Sequence, residues 1–335
     1  MTSSRAFVNI YPPTYSILAD NLTNDPSCLL LSGNILYGAS QSGFGTVYSV
    51  GIDGTGFMTL HAFDADDGAY SGTGLVLSGP TLYGTTEDGG PLGRGVVFSI
   101  NTNGSGFDVL QDFDVADFFA PVGNLVSSGS TLYGTLFRTE GSGLESLFSL
   151  NANGSGYEEF GTFARTNGYP GGLLLSGSTL FGSTTNTQFG PSGGLFTILP
   201  YFPGGNNLNY CSGPMVLAGG TLYGTTYYGG SSNRGTVFKI NTNGSGFAVL
   251  KNSLGGVDGQ NPAGGLVLVG SMLYGTTQYG GILNVSNNSP TFQIGTNFGT
   301  VFQIDTNGSN YAVLKRFRGT DGGNPVTTLA SSGAP

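Results

Sequence analysis

A tandem repeat constrains this chain more than any other feature of its sequence. A pentapeptide close to Leu-Tyr-Gly-Thr-Thr occurs six times, at steps of 46, 50, 48, 42 and 51 residues, and each copy is followed by a short apolar–aromatic block. The pentapeptides are Leu36–Ser40, Leu82–Thr86, Leu132–Leu136, Leu180–Thr184, Leu222–Thr226 and Leu273–Thr277; the blocks are Val47–Val50, Val97–Ile100, Leu147–Leu150, Leu195–Ile198, Val237–Ile240 and Val301–Ile304. Because units of about 40 to 50 residues are the size of propeller blades, the period predicts one blade for each repeat.

Each repeat has the pattern of four short strands, which we call a to d. In the second repeat we predict strand a at Gly74–Ser78, b at Thr81–Thr85, c at Val96–Ile100 and d at Phe107–Leu110. An Asn-Gly pair before strand d, at Asn103 and in three other repeats, favours a tight hairpin because both residues tolerate positive φ. No segment has a sustained 3.6-residue apolar period with caps. The sequence therefore predicts an all-β fold, a β-propeller of six blades with four antiparallel strands each.

The repeats cover nearly the whole chain, so we predict a single propeller domain over residues 1–335. The expected units are approximately 21–63, 64–113, 114–163, 164–210, 211–256 and 257–317. A strand d-like segment at 14–19 and a strand a-like segment at 323–330 are left at the two ends. Three roles are open for these two segments: they close the ring, they are parts of a longer array of repeats, or they pair with the same segments of another molecule. The fourth repeat also departs from the pattern, since Leu199–Tyr210 replaces the Asn-Gly turn and strand d.

The repeated residues resemble a known family. The order Leu-Tyr-Gly-Thr-Thr, Gly-Gly, Gly-Thr-Val-Phe-x-Ile-Asn-Thr-Asn-Gly-Ser-Gly-Phe-x-Val-Leu is similar to the GloVer tandem repeat, and residues 219–250 match it almost throughout. The resemblance implies a propeller-like protein at the surface of an environmental bacterium or secreted from it. Its motifs are specific for the repeat and carry almost no information on activity.

Composition excludes several classes of function. Ten Lys and Arg against 19 Asp and Glu give a net charge of −9, too few cations for a nucleic-acid surface. The sequence contains no run of some 18 apolar residues, so we predict no membrane insertion. The single histidine, His61, excludes a His-rich metal site, and we predict no cofactor. Ca²⁺ stays open as a weak alternative at Asp64–Gly68, which loosely resembles a calcium loop but lacks its later ligands.

The connections between strands differ at the two ends of the predicted blades. The a–b and c–d turns are short and uniform, whereas the b–c and d–a connections, which share the other end, are longer and vary between repeats. Binding groups tend to lie on loops held by a rigid frame. The candidate ligand-binding residues at this end are Glu87, Asp88, Arg94, Arg138, Tyr227, Tyr228, Arg234 and Tyr279.

These features predict an extracellular or surface binding and scaffold propeller that recognises a glycan or a protein through the variable end. One alternative is a polysaccharide-active hydrolase or lyase that uses paired carboxylates, with Glu140, Glu145, Asp66 and Asp67 as catalytic candidates. A second alternative is a self-assembling filament or sheath subunit joined through the terminal strands. Fold alone decides between none of them.

Overall fold

The described part of this computed structural model is almost entirely β-structure. It comprises residues 26–71, 74–114, 119–138, 144–164, 170–184, 213–253, 255–281, 297–319, 323–326 and 328–330. These residues form 24 strands and one short 3-10 helix at Gly256–Asp258. Among them, no helix has the length and apolar character needed to cross a membrane. Two compact units are present, one with repeats 1 to 4 and the other with repeats 5 and 6.

Repeats 1 to 3 each form an antiparallel sheet with strands in the order a-b-c-d, and strands a and b of repeat 4 form a two-stranded sheet. Repeat 1 has β1 (Pro26–Ser32), β2 (Ile35–Ser40), β3 (Thr46–Gly51) and β4 (Met58–Ala62); repeat 2 has β5 (Ala69–Ser71), β6 (Val76–Ser78), β7 (Thr81–Asp88), β8 (Gly93–Asn101) and β9 (Asp108–Asp114). Repeat 3 has β10 (Phe119–Ser128), β11 (Thr131–Arg138), β12 (Leu144–Asn151) and β13 (Glu158–Ala164); repeat 4 has β14 (Pro170–Ser176) and β15 (Thr179–Thr184).

Repeats 5 and 6 form two further sheets of the same kind. Repeat 5 has β16 (Val216–Ala218), β17 (Thr221–Thr226), β18 (Thr236–Asn241) and β19 (Ala248–Asn252); repeat 6 has β20 (Gln260–Pro262), β21 (Val267–Val269), β22 (Met272–Tyr279), β23 (Thr300–Asp305) and β24 (Ala312–Arg316). In repeats 2 and 6 strand a is split into two pieces, both of which pair with strand b.

The all-β class and the four-stranded antiparallel blades are confirmed, but the number of six complete blades is wrong. Five repeats form four-stranded blades, and the described residues of repeat 4 form strands a and b. The sequence of repeat 4 also has neither the Asn-Gly turn of repeats 2, 3, 5 and 6 nor the Asp53-Gly54 pair that stands in its place in repeat 1. Its expected strand c, Leu195–Ile198, and the expected N-terminal strand at 14–19 lie outside the described residues.

The pentapeptide is explained by packing within each blade. Its leucine is buried in all six repeats, and the aromatic residue of strand c lies across its glycine. A Cβ added to Gly84 would lie 2.5 Å from the Phe98 ring, and one added to Gly134 would lie 2.4 Å from the Phe148 ring. Only a glycine leaves room for a ring that is fully buried, and this places an aromatic layer inside every complete blade.

The Asn-Gly-Ser segments are tight turns held by their own side chains. In repeat 2 the Asn103 side-chain oxygen accepts hydrogen bonds from the Ser105 backbone N–H at 3.0 Å and the Ser105 hydroxyl at 2.7 Å. The amide nitrogen of Asn101 donates to the same hydroxyl at 3.1 Å. Repeats 3 and 5 reproduce all three bonds. The uniform end of each blade is therefore a fixed, polar scaffold.

Candidate functional site

The b–c connections share one backbone frame, which is clearest in repeats 2, 5 and 6. A Gly-Gly pair with positive φ follows strand b in each. A third glycine then closes the connection: its N–H donates to the first glycine's carbonyl oxygen, at 2.8 Å for Gly95 to Gly89 and 3.1 Å for Gly235 to Gly229. The bond from Gly299 to Gly280 measures 3.2 Å, although that loop is much longer. The loop base is the same whatever residues it presents.

The closing glycine is required by sterics as well as by its backbone angle. A Cβ added to Gly95 would lie 2.1 Å from the carbonyl oxygen of Thr86, and one added to Gly235 would lie 2.3 Å from that of Thr226. Both glycines have φ close to +90°, which L side chains rarely adopt. Strand b and strand c are therefore brought together at a point that only glycine permits.

The second threonine of the pentapeptide fixes the same point from inside the sheet. The Thr86 hydroxyl accepts the N–H of Val96 at 3.0 Å, and the Thr226 hydroxyl accepts the N–H of Thr236 at 3.1 Å. In repeat 5 the two threonine hydroxyls also lie 2.9 Å apart and bond to each other. These side chains are fully buried, so they serve the frame and do not face a ligand.

The next repeat fastens the loop base through a single asparagine. Asn261, with φ of 57°, donates its N–H to the carbonyl oxygen of Arg234 at 2.8 Å and its side-chain amide to that of Tyr227 at 2.9 Å. Both ends of the repeat 5 loop are thus tied to one residue. Asn261 is not among the residues predicted from the sequence, although its Asn-Pro pair recurs at Asn324-Pro325 and is a signal for this position.

An aromatic cluster lies on this frame where repeats 5 and 6 meet. The Tyr227 hydroxyl donates to Oε1 of Gln278 at 2.5 Å, and the Tyr227 and Tyr228 rings meet edge to face at 4.7 Å. Burial, reinforced by Tyr279 and then Tyr228, raises the pKa of Tyr227 to about 12. Tyr228 keeps 40% of its surface exposed. The structure therefore joins Tyr227, Tyr228 and Tyr279 and adds Gln278, which sequence reasoning missed.

Arg234 lies at the other end of the same b–c connection, directly before the closing glycine Gly235. The residue is exposed, and its guanidinium lies over Gly255, where an added Cβ would be 1.7 Å from Nη1. Gln260 Oε1 would lie 2.9 Å from the same added Cβ. The d–a connection that leads from repeat 5 into repeat 6 therefore packs against this guanidinium.

Repeat 2 carries acidic groups on the equivalent frame. Burial, and then the neighbouring Asp88, raises the pKa of Glu87, and burial also raises the pKa of Asp112 on strand d. Nε of Arg94 is buried and has no hydrogen-bond partner in the described structure. Asp88 is exposed at the end of β7. The b–c connection of repeat 2 therefore presents charged side chains where that of repeat 5 presents aromatic ones.

The structure corrects the expected position of several candidates. Glu87, Asp88, Arg94, Arg138, Glu145 and Tyr279 lie on the ends of strands b and c and not in open loops. The pairing of β7 with β8 ends at Thr85 and Val97, and the outer end of β7 pairs with β5, Ser71 with Thr86 and Ala69 with Asp88. The side chains of Arg138 and Glu145, and all of Glu140, lie outside the described residues.

The remaining catalytic candidates stabilise their own connection. Oδ2 of Asp67 lies 2.8 Å from Nε2 of His61, and Oδ1 of Asp67 accepts the N–H of Asp64 at 2.9 Å. Asp64 in turn accepts the N–H groups of Asp66 and Asp67. Among the described residues, no group of three or more His, Cys, Asp or Glu is placed to hold a metal ion. These oxygens therefore shape a turn.

Four-stranded antiparallel blades, joined by stereotyped turns at one end and variable connections at the other, define a β-propeller repeat protein. The Gloeobacter/Verrucomicrobia repeat model matches residues 13–190, just over half of the sequence, and the chain belongs to this family. The predicted GloVer resemblance is thereby confirmed.

Solved structures are similar in fold only. A chain in the crystal structure of a nidogen/laminin complex is 13% identical, with 99% of this chain and 98% of that chain covered and a TM-score of 0.53. An oligogalacturonate lyase from Vibrio parahaemolyticus is 11% identical, with 87% and 77% covered and a TM-score of 0.52. A comparison with curated protein sequences finds no match.

Proposed function

We propose that the protein is a binding propeller that recognises a glycan through the aromatic cluster of Tyr227, Tyr228, Gln278 and Tyr279, at the cell surface or outside the cell. One observation carries the proposal: a backbone frame repeated with the same hydrogen bonds presents different side chains in different repeats. Rigid frames with variable side chains are typical of recognition surfaces, because little conformational entropy is lost when they bind.

The chemistry of the cluster favours a sugar as the ligand. An exposed Tyr228 ring beside a half-buried Tyr227 offers an apolar face next to hydroxyl and amide groups. Sugar rings present the matching combination of an apolar C–H face and hydroxyl groups, and aromatic side chains combine large contact area with a polar edge. The neighbouring Arg234 would favour a glycan that carries a carboxylate or sulfate near the sugar that stacks.

Glycan-array screening followed by calorimetric titration tests the proposal. We expect binding of at least one glycan class, weakened about tenfold by Tyr228→Ala, which corresponds to about 1.4 kcal/mol of lost contact. Phe57→Ala is the matched control, since Phe57 is 47% exposed but precedes strand d at the uniform end of its blade. A panel without any bound glycan, or binding that Tyr228→Ala leaves unchanged, would reject this site.

The enzymatic alternative has one specific observation in its favour. The raised pKa of Glu87 is the property that a general acid needs, and Asp88 is a second carboxylate next to it in sequence. A reducing-sugar assay with the glycans that bind distinguishes the two functions. Product formed by the parent chain and lost in Glu87→Gln would establish glycan cleavage, by hydrolysis or by elimination, whereas binding without product supports recognition alone.

A further inference from the structure

Consecutive blades are joined by a contact between the Asn-Gly turn of one repeat and strand d of the preceding repeat. A Cβ added to Gly104 would lie 3.3 Å from the carbonyl oxygen of Leu60. The corresponding distances are 3.1 Å from Gly154 to Leu110 and 3.4 Å from Gly308 to Leu250. In these three repeats the turn glycine therefore lies on the leucine of the preceding strand d.

The aromatic residue that follows each turn enlarges this contact. Phe107 stacks on His61 of the preceding repeat with ring centroids 3.7 Å apart, and Nζ of Lys251 lies 4.2 Å from the Tyr311 ring centroid. Each repeat thus covers its predecessor's strand d with a turn and an aromatic ring. Under this cover Leu60 is only 7% exposed, and Leu110 and Leu250 are half-buried.

Repeat 6 presents the same strand d surface, and within the described part of the chain no Asn-Gly turn covers it. Leu314 stands at the position of Leu60, Leu110 and Leu250, yet 42% of its surface is exposed. Its strand has the same register and the same bulge against strand c as strand d of repeat 5. The surface is therefore fully formed and has the shape that the Asn-Gly turns cover elsewhere.

The first strand position of a following repeat is already occupied beside it. Asn324 donates its N–H to the Phe298 carbonyl oxygen at 2.6 Å and its side-chain amide to that of Gln278 at 3.1 Å, as Asn261 does one repeat earlier. Farther along, the Thr328 hydroxyl accepts the N–H of Gly265 at 2.8 Å.

The sequence agrees with this correspondence. Residues 324–329, Asn-Pro-Val-Thr-Thr-Leu, match residues 261–266, Asn-Pro-Ala-Gly-Gly-Leu, which lead into strand a of repeat 6. The proline fits as well: Pro325 Cδ would lie 2.8 Å from a Cβ added to Gly299, and Pro262 Cδ 2.5 Å from one added to Gly235. In the described positions of 323–330, however, no strand pairing occurs.

We propose that Leu314, together with residues 323–326 and 328–330, forms a docking site for strands b to d of a further repeat unit of this same type, joined to that segment. The unit's strand b would pair with residues 323–325, which correspond to β20, the partner of β22 in repeat 6, and its Asn-Gly turn would cover Leu314. This partner is chosen because the site reproduces both sides of the contacts between repeats 5 and 6. The inference is independent of ligand binding.

Extension of the chain tests this docking site directly. A second copy of residues 220–253, which supplies strands b to d of repeat 5, is placed after Gly333, since Gly333 aligns with the turn glycine Gly270. We expect the amides of Ala312–Arg316 to exchange about tenfold more slowly in the extended chain, and the added unit to resist proteolysis. The extended chain should remain monomeric.

Two substitutions make the test specific. Leu314→Glu should abolish the added protection in the extended chain and change the stability of the parent chain little, because Leu314 is exposed there. Leu92→Glu, at a site 45% exposed in the repeat 2 hairpin, should leave the added protection intact. An added unit that stays protease-sensitive with unchanged exchange overturns the proposal. A parent chain that dimerises and becomes monomeric with Leu314→Glu would assign the surface to a second copy and overturn it as well.

Discussion

The b–c connections of repeats 2 and 5 show how one backbone serves two chemistries. Both run from a buried threonine through a Gly-Gly pair to a glycine that accepts no side chain, and both have an arginine directly before that glycine. Yet the first two residues are Glu87 and Asp88 in one and Tyr227 and Tyr228 in the other. The difference teaches that the buried groups specify the frame and that the outer positions are open to change.

Replacement of the closing glycine should disrupt both connections and cause the largest loss in the free energy of unfolding. Gly95→Ala and Gly235→Ala each force a Cβ to within 2.1 or 2.3 Å of a backbone oxygen, and neither oxygen can move without parting the strands. We expect each substitution to cost about 3 kcal/mol or more in urea unfolding. Gly79→Ala is the control, with φ of 59° and open space around it, and should cost about 1 kcal/mol. A marked inequality between the two loop variants would show that the frames differ.

Removal of the buried threonine hydroxyl should lower the free energy of unfolding by a smaller amount, and by different amounts in repeats 2 and 5. Thr226→Val leaves both the N–H and the hydroxyl of Thr236 without their partner, and Thr236 is fully buried. Thr86→Val leaves the N–H of Val96 and the carbonyl oxygen of the exposed Asp88, which water can reach. We expect losses of about 3 and about 1.5 kcal/mol, respectively. The control is Thr→Ser at each site, which keeps the hydroxyl; equal losses would contradict the argument.

The stability of the two connections should also depend differently on pH, because repeat 2 carries Glu87 where repeat 5 carries Tyr227. Because burial raises the pKa of Glu87 in the folded state, its contribution is full below the carboxyl's ordinary pKa and is lost as pH rises through the raised value. Glu87→Gln should therefore be more stable than the parent at about pH 7, by a margin that shrinks toward about pH 4. Urea midpoints across this range measure it.

Tyr227→Phe supplies the contrast in repeat 5. The pKa of Tyr227 is about 12, so its hydroxyl remains protonated throughout that range. The stability difference between Tyr227→Phe and the parent should not vary with pH. A margin for Glu87→Gln that grows on acidification would mean that Glu87 is stabilised as a carboxylate.

The sequence predicted what depends on local repetition. Strand order, the Asn-Gly turns and the placement of candidates at the variable end follow from patterns of period two and from turn residues. The continuation of strands b and c past Glu87 and Arg94 was missed, because an open loop and a short Gly-Gly turn contain similar residues. Tyr227 and Gln278 occupy the same position in consecutive repeats, 51 residues apart, so the repeat relates them, but the side-chain hydrogen bond between them follows from packing that no strand or turn pattern specifies.

Side-chain exchange at the outer position is the mildest test of the shared frame. Asp88 and Tyr228 occupy equivalent exposed positions, so Asp88→Tyr should alter the free energy of unfolding by no more than about 0.5 kcal/mol. The positions equivalent to Gln278 and Tyr279 are Phe137 and Arg138 in repeat 3, which lack the amide oxygen and the phenol hydroxyl of the repeat 5 cluster, and we expect no new glycan affinity in calorimetry. Asp112→Tyr provides the contrast: Oδ1 of Asp112 is buried against Gly90, so a ring cannot enter without moving the turn. If Asp88→Tyr destabilised the chain as much as Asp112→Tyr, the outer positions would belong to the frame, and the variable chemistry of this end would need a different cause.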